Sequence, residues 1–155
     1  MGEREQKLES LGYPMDRRVP ENNVIDQVAI LGQTIYASGM VPFDKDVLTS
    51  KGKVPSEVSV EDAAKAAALC AANVLRAVSA KVGGLEKVER VIRITGYVNT
   101  DPTFADCHLV INGATTLVKQ VFGDEKGRHA RTALGMAQLP LGTSVEIEMI
   151  LQLKS

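Results

Sequence analysis

Between Ser59 and Gly84 the chain reads SVEDAAKAAALCAANVLRAVSAKVGG, and no other stretch limits the fold as tightly. Ser59 followed by Asp62 resembles a capping box with Asp in place of the usual Glu, and Gly83-Gly84 is a natural C-terminal stop. One long helix is predicted between them. On its N-terminal side, NVIDQVAIL and TIYASGMV are two β-prone runs separated by Gly32-Gln33, a pair suited to a type II′ hairpin turn because glycine tolerates positive φ. On its C-terminal side, KVERVIRITGYVN alternates, with Val88, Val91 and Ile94 among its β-branched members. Asp101-Pro102 then supplies an N-cap and a proline at the first helical position, so a second helix is predicted from about Pro102 to Phe122, stopped by Gly123. After the loop DEKGRH come two strands, ARTALGMAQ and SVEIEMILQLK, read as a hairpin through Leu139-Pro140-Leu141-Gly142.

The order is ββ(β)αβαββ, the bracketed strand being a short one at Lys53-Val54 within the loop-like residues 42–55. Two long helices on one face of a mixed β-sheet make an α+β two-layer domain. Residues 1–22, rich in charge and holding Pro14 and Pro20, read as an N-terminal arm with room for a short helix around residues 4–11. The domain proper is 23–155.

Composition removes several classes of function. Eighteen Lys plus Arg against nineteen Asp plus Glu give a formal charge of −1 with no basic run, and three Tyr, three Phe and no Trp leave few rings for base stacking. Both counts argue against nucleic acid as a partner. The start MGEREQKLES lacks the apolar core of a signal peptide, and no run of 18 apolar residues occurs, so no membrane is implied and a cytoplasmic location is expected. Cys70 and Cys107 form no CxxC and read as thiols, Cys70 as a core residue. Neither histidine joins carboxylates at a metal-ligand spacing, so no metal is expected. Cys107-His108 is no dyad either, because neighbours in a helix point about 100° apart.

The last segment raises the functional question. Arg131 is the one cation between His129 and Lys154, in an otherwise apolar stretch. In the final strand Val145, Ile147, Met149, Leu151 and Leu153 share one face, and Glu146, Glu148, Ile150 and Gln152 the other. A simple hairpin centred on Pro140-Leu141 sets 135 opposite 146 and 131 opposite 150. Arg131, Ala133, Gly135 and Ala137 then share the glutamate face, uncovered by helices and about 13 Å from Arg131 to Glu146 along the strand. Two partners remain open for Arg131: the carboxylate of a small ligand, which a guanidinium fork fits, or carbonyls and acids of a neighbouring subunit. His129 shares the arginine's face if the strand starts early. Glu146 and Glu148 are ordinary solvated residues unless the face is covered.

ARTALGMAQLPLGTSVEIE resembles the C-terminal signature of the RidA (YjgF-like) family, also labelled L-PSP endoribonuclease. ASGMVP (37–42), GKVPSEV (52–58) and VINGATT (110–116) agree in order and spacing. The resemblance implies a chorismate-mutase-like domain assembled as a homotrimer with ligand clefts between subunits. It also implies hydrolytic deamination of enamines and imines of amino acids to 2-oxo acids and ammonia, with no cofactor. By motif, Arg131 would hold the substrate carboxylate and Glu146 would direct water. Ser38 and Gly39 would form the cleft wall, and Asn112 matches the family's helix asparagine. The chain departs from the deaminase members at Ala133, where they have cysteine, and at Ile25, where ungapped matching expects tyrosine. The longer arm and a helix-to-arginine segment about six residues longer point to a divergent subgroup. The other readings are a non-catalytic trimer binding small carboxylates and the ribonuclease of the family label.

Overall fold

A computed structural model describes residues 1–17 and 24–155, so the boundary expected at 22/23 lies outside the described residues. The N-terminal segment is docked on the domain. Helix α1 (Glu3–Ser10) buries Leu8 and Glu5, and the Arg4 guanidinium lies 4.5 Å from the centre of the Phe122 ring. The Glu5 carboxylate accepts from the buried Leu85 amide, from Ser79 Oγ at 3.1 Å and from the Gly2 amide at 3.0 Å.

The hairpin of β1 (Val28–Leu31) and β2 (Thr34–Met40) turns at Gly32, whose φ is +58°. Residues 42–55 hold a miniature hairpin, β3 (Phe43–Asp44) and β4 (Val47–Leu48), and Val54 makes an isolated parallel bridge to Thr100 in place of the expected edge strand. Helix α2 (Val60–Val82) begins where Ser59 Oγ accepts the Asp62 amide at 3.1 Å and ends at Gly83, φ +79°. It is long and apolar enough to cross a membrane, but most of it is buried in this domain. Ala63, Ala67, Cys70, Ala71, Val74, Leu75 and Val78 are fully buried.

Strand β5 (Val88–Asn99) is followed by α3 (Cys107–Lys126) rather than by a helix from Pro102. The Asp101 carboxylate does not cap a helix; it accepts Ser56 N and Oγ at 3.0 and 2.9 Å, pinning the preceding loop. Gly123, φ +81°, breaks the helix where expected, and one further turn carries it to Lys126.

The largest correction concerns the last two strands, β6 (Ala130–Met136) and β7 (Val145–Leu153). They are not a hairpin. The sheet order is β1-β2-β7-β5-β6, so β5 lies between them, antiparallel to β7 and parallel to β6. The α3 crossover supplies the connection that parallel pairing requires. The architecture is otherwise as expected, a mixed sheet with α2 and α3 on one face. Val145, Ile147, Met149 and Leu151 are at most 1% exposed beneath them.

Candidate functional site

The β5 register decides which face each candidate occupies. Ile94 pairs with both Arg131 and Met149, while Thr95 pairs with Thr132 and Glu148, and Tyr97 with Leu134 and Glu146. Ile94 and Met149 are core residues. Arg131, Ala133 and Gly135 therefore project on the helix side of the sheet, and Thr132 and Leu134 on the open side with the glutamates. The expected sharing of one face by Arg131, Ala133, Gly135 and Glu146 is overturned, because parallel pairing with β5 sets the opposite parity from a β6–β7 hairpin.

On the helix side, at the sheet edge, Arg131 Nη1 donates to Asn112 Oδ1 at 2.7 Å and to Thr115 Oγ1 at 3.2 Å. Both acceptors are on α3, three residues apart and so on one helix face. His129 completes the group: Nδ1 lies 2.6 Å from Gly127 O and Nε2 lies 3.1 Å from Thr115 Oγ1. The carbonyl can only accept, so Nδ1 carries the proton, and a neutral ring takes the Thr115 hydroxyl proton at Nε2. Burial, then the Arg131 and Lys119 charges, hold the His129 pKa below its usual value, although the Gly127 bond works the other way. The hydroxyl oxygen is thereby turned toward Arg131. No carboxylate of the described residues forms an ion pair with Arg131, and its unused N–H groups remain for a ligand or neighbour. Ala133 packs against the core beside this group. Cys107 and His108 form no pair here, and burial raises the Cys107 thiol above its ordinary pKa.

The second group sits on the open face. Pairing of β2 with β7 shifts register between Ala37 and Met40, a bulge occupied by Ser38-Gly39. There the backbone approaches Glu146 so closely that a Cβ on Gly39 would lie 2.1 Å from Glu146 Oε1. Glycine leaves the space the carboxylate fills. Ser38 Oγ donates to Asp26 O at 2.7 Å, which holds the bulge. Burial and then the Glu148 charge raise the Glu146 pKa, which makes the ionised carboxylate a stronger proton acceptor. Tyr97 donates its hydroxyl to Glu148 Oε1 at 3.1 Å. Cys70, behind this group in the core, is pushed far above the usual thiol range by burial first and Glu146 second, which leaves it an inert thiol.

The candidates thus fall into two clusters, Arg131 with Asn112, His129 and Ala133, and Glu146 with Ser38 and Gly39, on opposite sides of one sheet. Ile25 is more than half exposed. Thr115 and Tyr97 were not singled out from the sequence. The i, i+3 spacing of Asn112 and Thr115 in VINGATT was the available signal for the first, and nothing local marked the second. No group of His, Cys, Asp and Glu suited to a metal ion occurs among the described residues.

The endoribonuclease L-PSP family model matches residues 18–152. Protein TCP17 of Trypanosoma cruzi is 34% identical over 149 residues, covering 96% of this chain and 92% of its own. The crystal structure of Atu1372 from Agrobacterium tumefaciens, a protein of unknown function, is 41% identical with a TM-score of 0.90, over 97% of this chain and 92% of that one. The E. coli YjgF gene product is similar in fold at 22% identity and a TM-score of 0.59, over 85% and 90% of the two chains.

Proposed function

Given that the chain belongs to the endoribonuclease L-PSP family, we propose that it hydrolyses reactive enamines and imines of amino acids to 2-oxo acids and ammonia, in clefts between three copies of the chain. The observation that carries this reading is the separation of the two clusters. A guanidinium with unused donors and a carboxylate with a raised pKa are the complementary halves of an imine hydrolase, yet they stand on opposite faces of one sheet. A second copy is needed to bring them together.

The geometry of the surface supports such a copy. Strand β6 is an edge, so Arg131 is approachable from beside the sheet, while Glu146 belongs to a face that no helix of the described residues covers. That face carries Tyr36 and Leu134, 46% and 41% exposed, with Ile150 paired between β2 and β5. An edge on one chain meeting a face on the next is a heterologous contact, and three such contacts close a ring. In the cleft so formed, Arg131 of one chain holds the substrate carboxylate in bidentate fashion. Glu146 of the next accepts a proton from water as its oxygen attacks the C=N carbon. Glu146 returns that proton to nitrogen, giving the carbinolamine, and then carries the hydroxyl proton to nitrogen as the C–N bond breaks, which leaves the 2-oxo acid and ammonia. An enamine enters after tautomerising to the imine. No thiol is needed, so Ala133 does not bar the reaction.

Two measurements test the reading. Light scattering is expected to give about 50 kDa, three times the 16.6 kDa chain, at micromolar concentration, and a stable monomer would remove cleft and mechanism together. Imines generated in situ by an amino acid oxidase are expected to decay faster with the protein present. A trimer that binds 2-oxo acids but accelerates no imine would be the carboxylate-binding module and no hydrolase.

A further inference from the structure

We propose that the cavity between the N-terminal segment and α2 is a second binding site, for a small molecule carrying an oxyanion, with Arg76 as its anchor. The cavity measures about 590 Å³ and is lined by Tyr13, Arg17, Asp44, Lys51, Lys65 and Arg76 among others. Lys65 and Arg76 stand eleven residues apart on α2, roughly 16 Å at 1.5 Å per residue, so the space is elongated and exceeds what a bare ion fills.

Arg76 is 6% exposed, and its position is fixed from two sides. Nε donates to Pro14 O at 2.9 Å and Nη1 to Asn73 Oδ1 at 2.7 Å. Asn73 is itself locked, because its Nδ2 donates to Val41 O and Phe43 O at 3.1 and 3.0 Å. Both Nη2 protons have no acceptor among the described residues, and no side-chain nitrogen or oxygen there is both fully enclosed and unbonded. Nη2 is therefore not sealed off, and Arg76 lines the cavity.

The cavity's described lining holds four cations against three acids, Asp44, Glu57 and Asp62. No carboxylate of the described residues lies within 4 Å of Arg76, whereas Arg17 is paired with Asp44 at 3.2 Å and Lys65 with Glu61 and Asp62 at 3.0 and 3.4 Å. Lys51 likewise has no ion-pair partner among the described residues. Burial lowers the Arg76 pKa, Asp44 and Asp16 oppose this only from beyond contact distance, and an anion at Nη2 would relieve the cost of enclosing the charge. The Tyr13 hydroxyl, also without a hydrogen-bond partner among the described residues, lies near enough to feel the Arg76 charge. A neutral phenol and the Nη2 edge of a guanidinium are donors, and the group they jointly suit is a carboxylate or phosphate oxygen. Nothing in this site depends on the proposed hydrolase: Arg76 and Tyr13 belong to neither cluster described above.

The test is calorimetric titration of the full chain with inorganic phosphate and, separately, with succinate, both in an Arg131→Ala background so that the other arginine takes no part. Saturable binding of one or both, at one site per chain, is expected, and the preferred anion identifies the class. Tyr13→Phe should weaken that binding about tenfold, the loss of one hydrogen bond to a charged group. Arg76→Met should abolish it; if that variant does not fold, Tyr13→Phe carries the test alone. Absence of saturation with both anions, or equal affinity in Tyr13→Phe, overturns the proposal.

Discussion

If each cleft takes its arginine from one chain and its glutamate from the next, two dead variants should restore each other. Arg131→Ala and Glu146→Gln are each expected to assemble normally and to be inactive as pure trimers. Unfolded together in equal amounts and refolded, they mix at random. At any cleft the arginine-bearing chain is intact in about half of cases, and independently the neighbour's glutamate is intact in about half, so roughly a quarter of clefts regain both groups. The imine-decay assay should then read about 25% of wild-type activity, and the count of 2-oxo acid sites can be checked on the same sample. The figure rests on the proposed ring and on the β5 register, which sets Arg131 and Glu146 on opposite faces. Were the two residues to act within one chain, no chain in the mixture would carry both, and activity would stay at zero. That result would refute the reasoning from the sheet.

Three further outcomes follow from individual contacts. Arg131→Lys keeps the charge but loses the fork, so affinity for a 2-oxo acid should fall by roughly ten- to a hundredfold while the melting temperature holds. As the proposed base, Glu146 would work only when ionised, and burial and then Glu148 hold its pKa up, so activity should rise with pH through that raised value. Glu148→Gln removes the neighbouring charge and should move the rising limb of the rate profile to lower pH. Glu5→Ala leaves the buried Leu85 amide without its acceptor and should cost about 3 kcal/mol in chemical denaturation. Although burial opposes it, the bonds from Leu85 and its other donors leave the Glu5 pKa below its ordinary value. Its contribution is therefore full above the ordinary carboxylate range and lost as pH falls through the lowered folded value, so the gap between variant and wild type should narrow on acidification.

Local signals were sufficient where the structure is local. Ser59 and Gly83 bound α2, Gly32 turns the first hairpin, and the strict alternation of Val145, Ile147, Met149 and Leu151 identified the inner face of β7 from sequence. The parity of β6 was not legible, because Arg131-Thr132-Ala133-Leu134-Gly135-Met136 places small and apolar residues on both sides. Its true partner, β5, is more than thirty residues distant, and nothing near Leu139-Pro140 distinguishes a hairpin from two strands with a third between them. The start of α3 failed for a related reason: Asp101 is a sound capping residue by type, but its carboxylate is bound to Ser56, a partner that sequence proximity does not suggest. The site motifs singled out Arg131 and Glu146 without their relative placement. The sequence reading set Arg131 and Glu146 on one face, about 13 Å apart along the strand, and the crossover through α3 moves them to opposite faces.

The position of β7 makes the sheet all-or-none. It is the middle strand, hydrogen-bonded to β2 on one side and β5 on the other. Without it, β1-β2 and β5-β6 are separate pairs, each with an open edge toward the gap. A chain in which Val145–Leu153 cannot pair is therefore two half-sheets with edges open to other chains, rather than a slightly weakened domain.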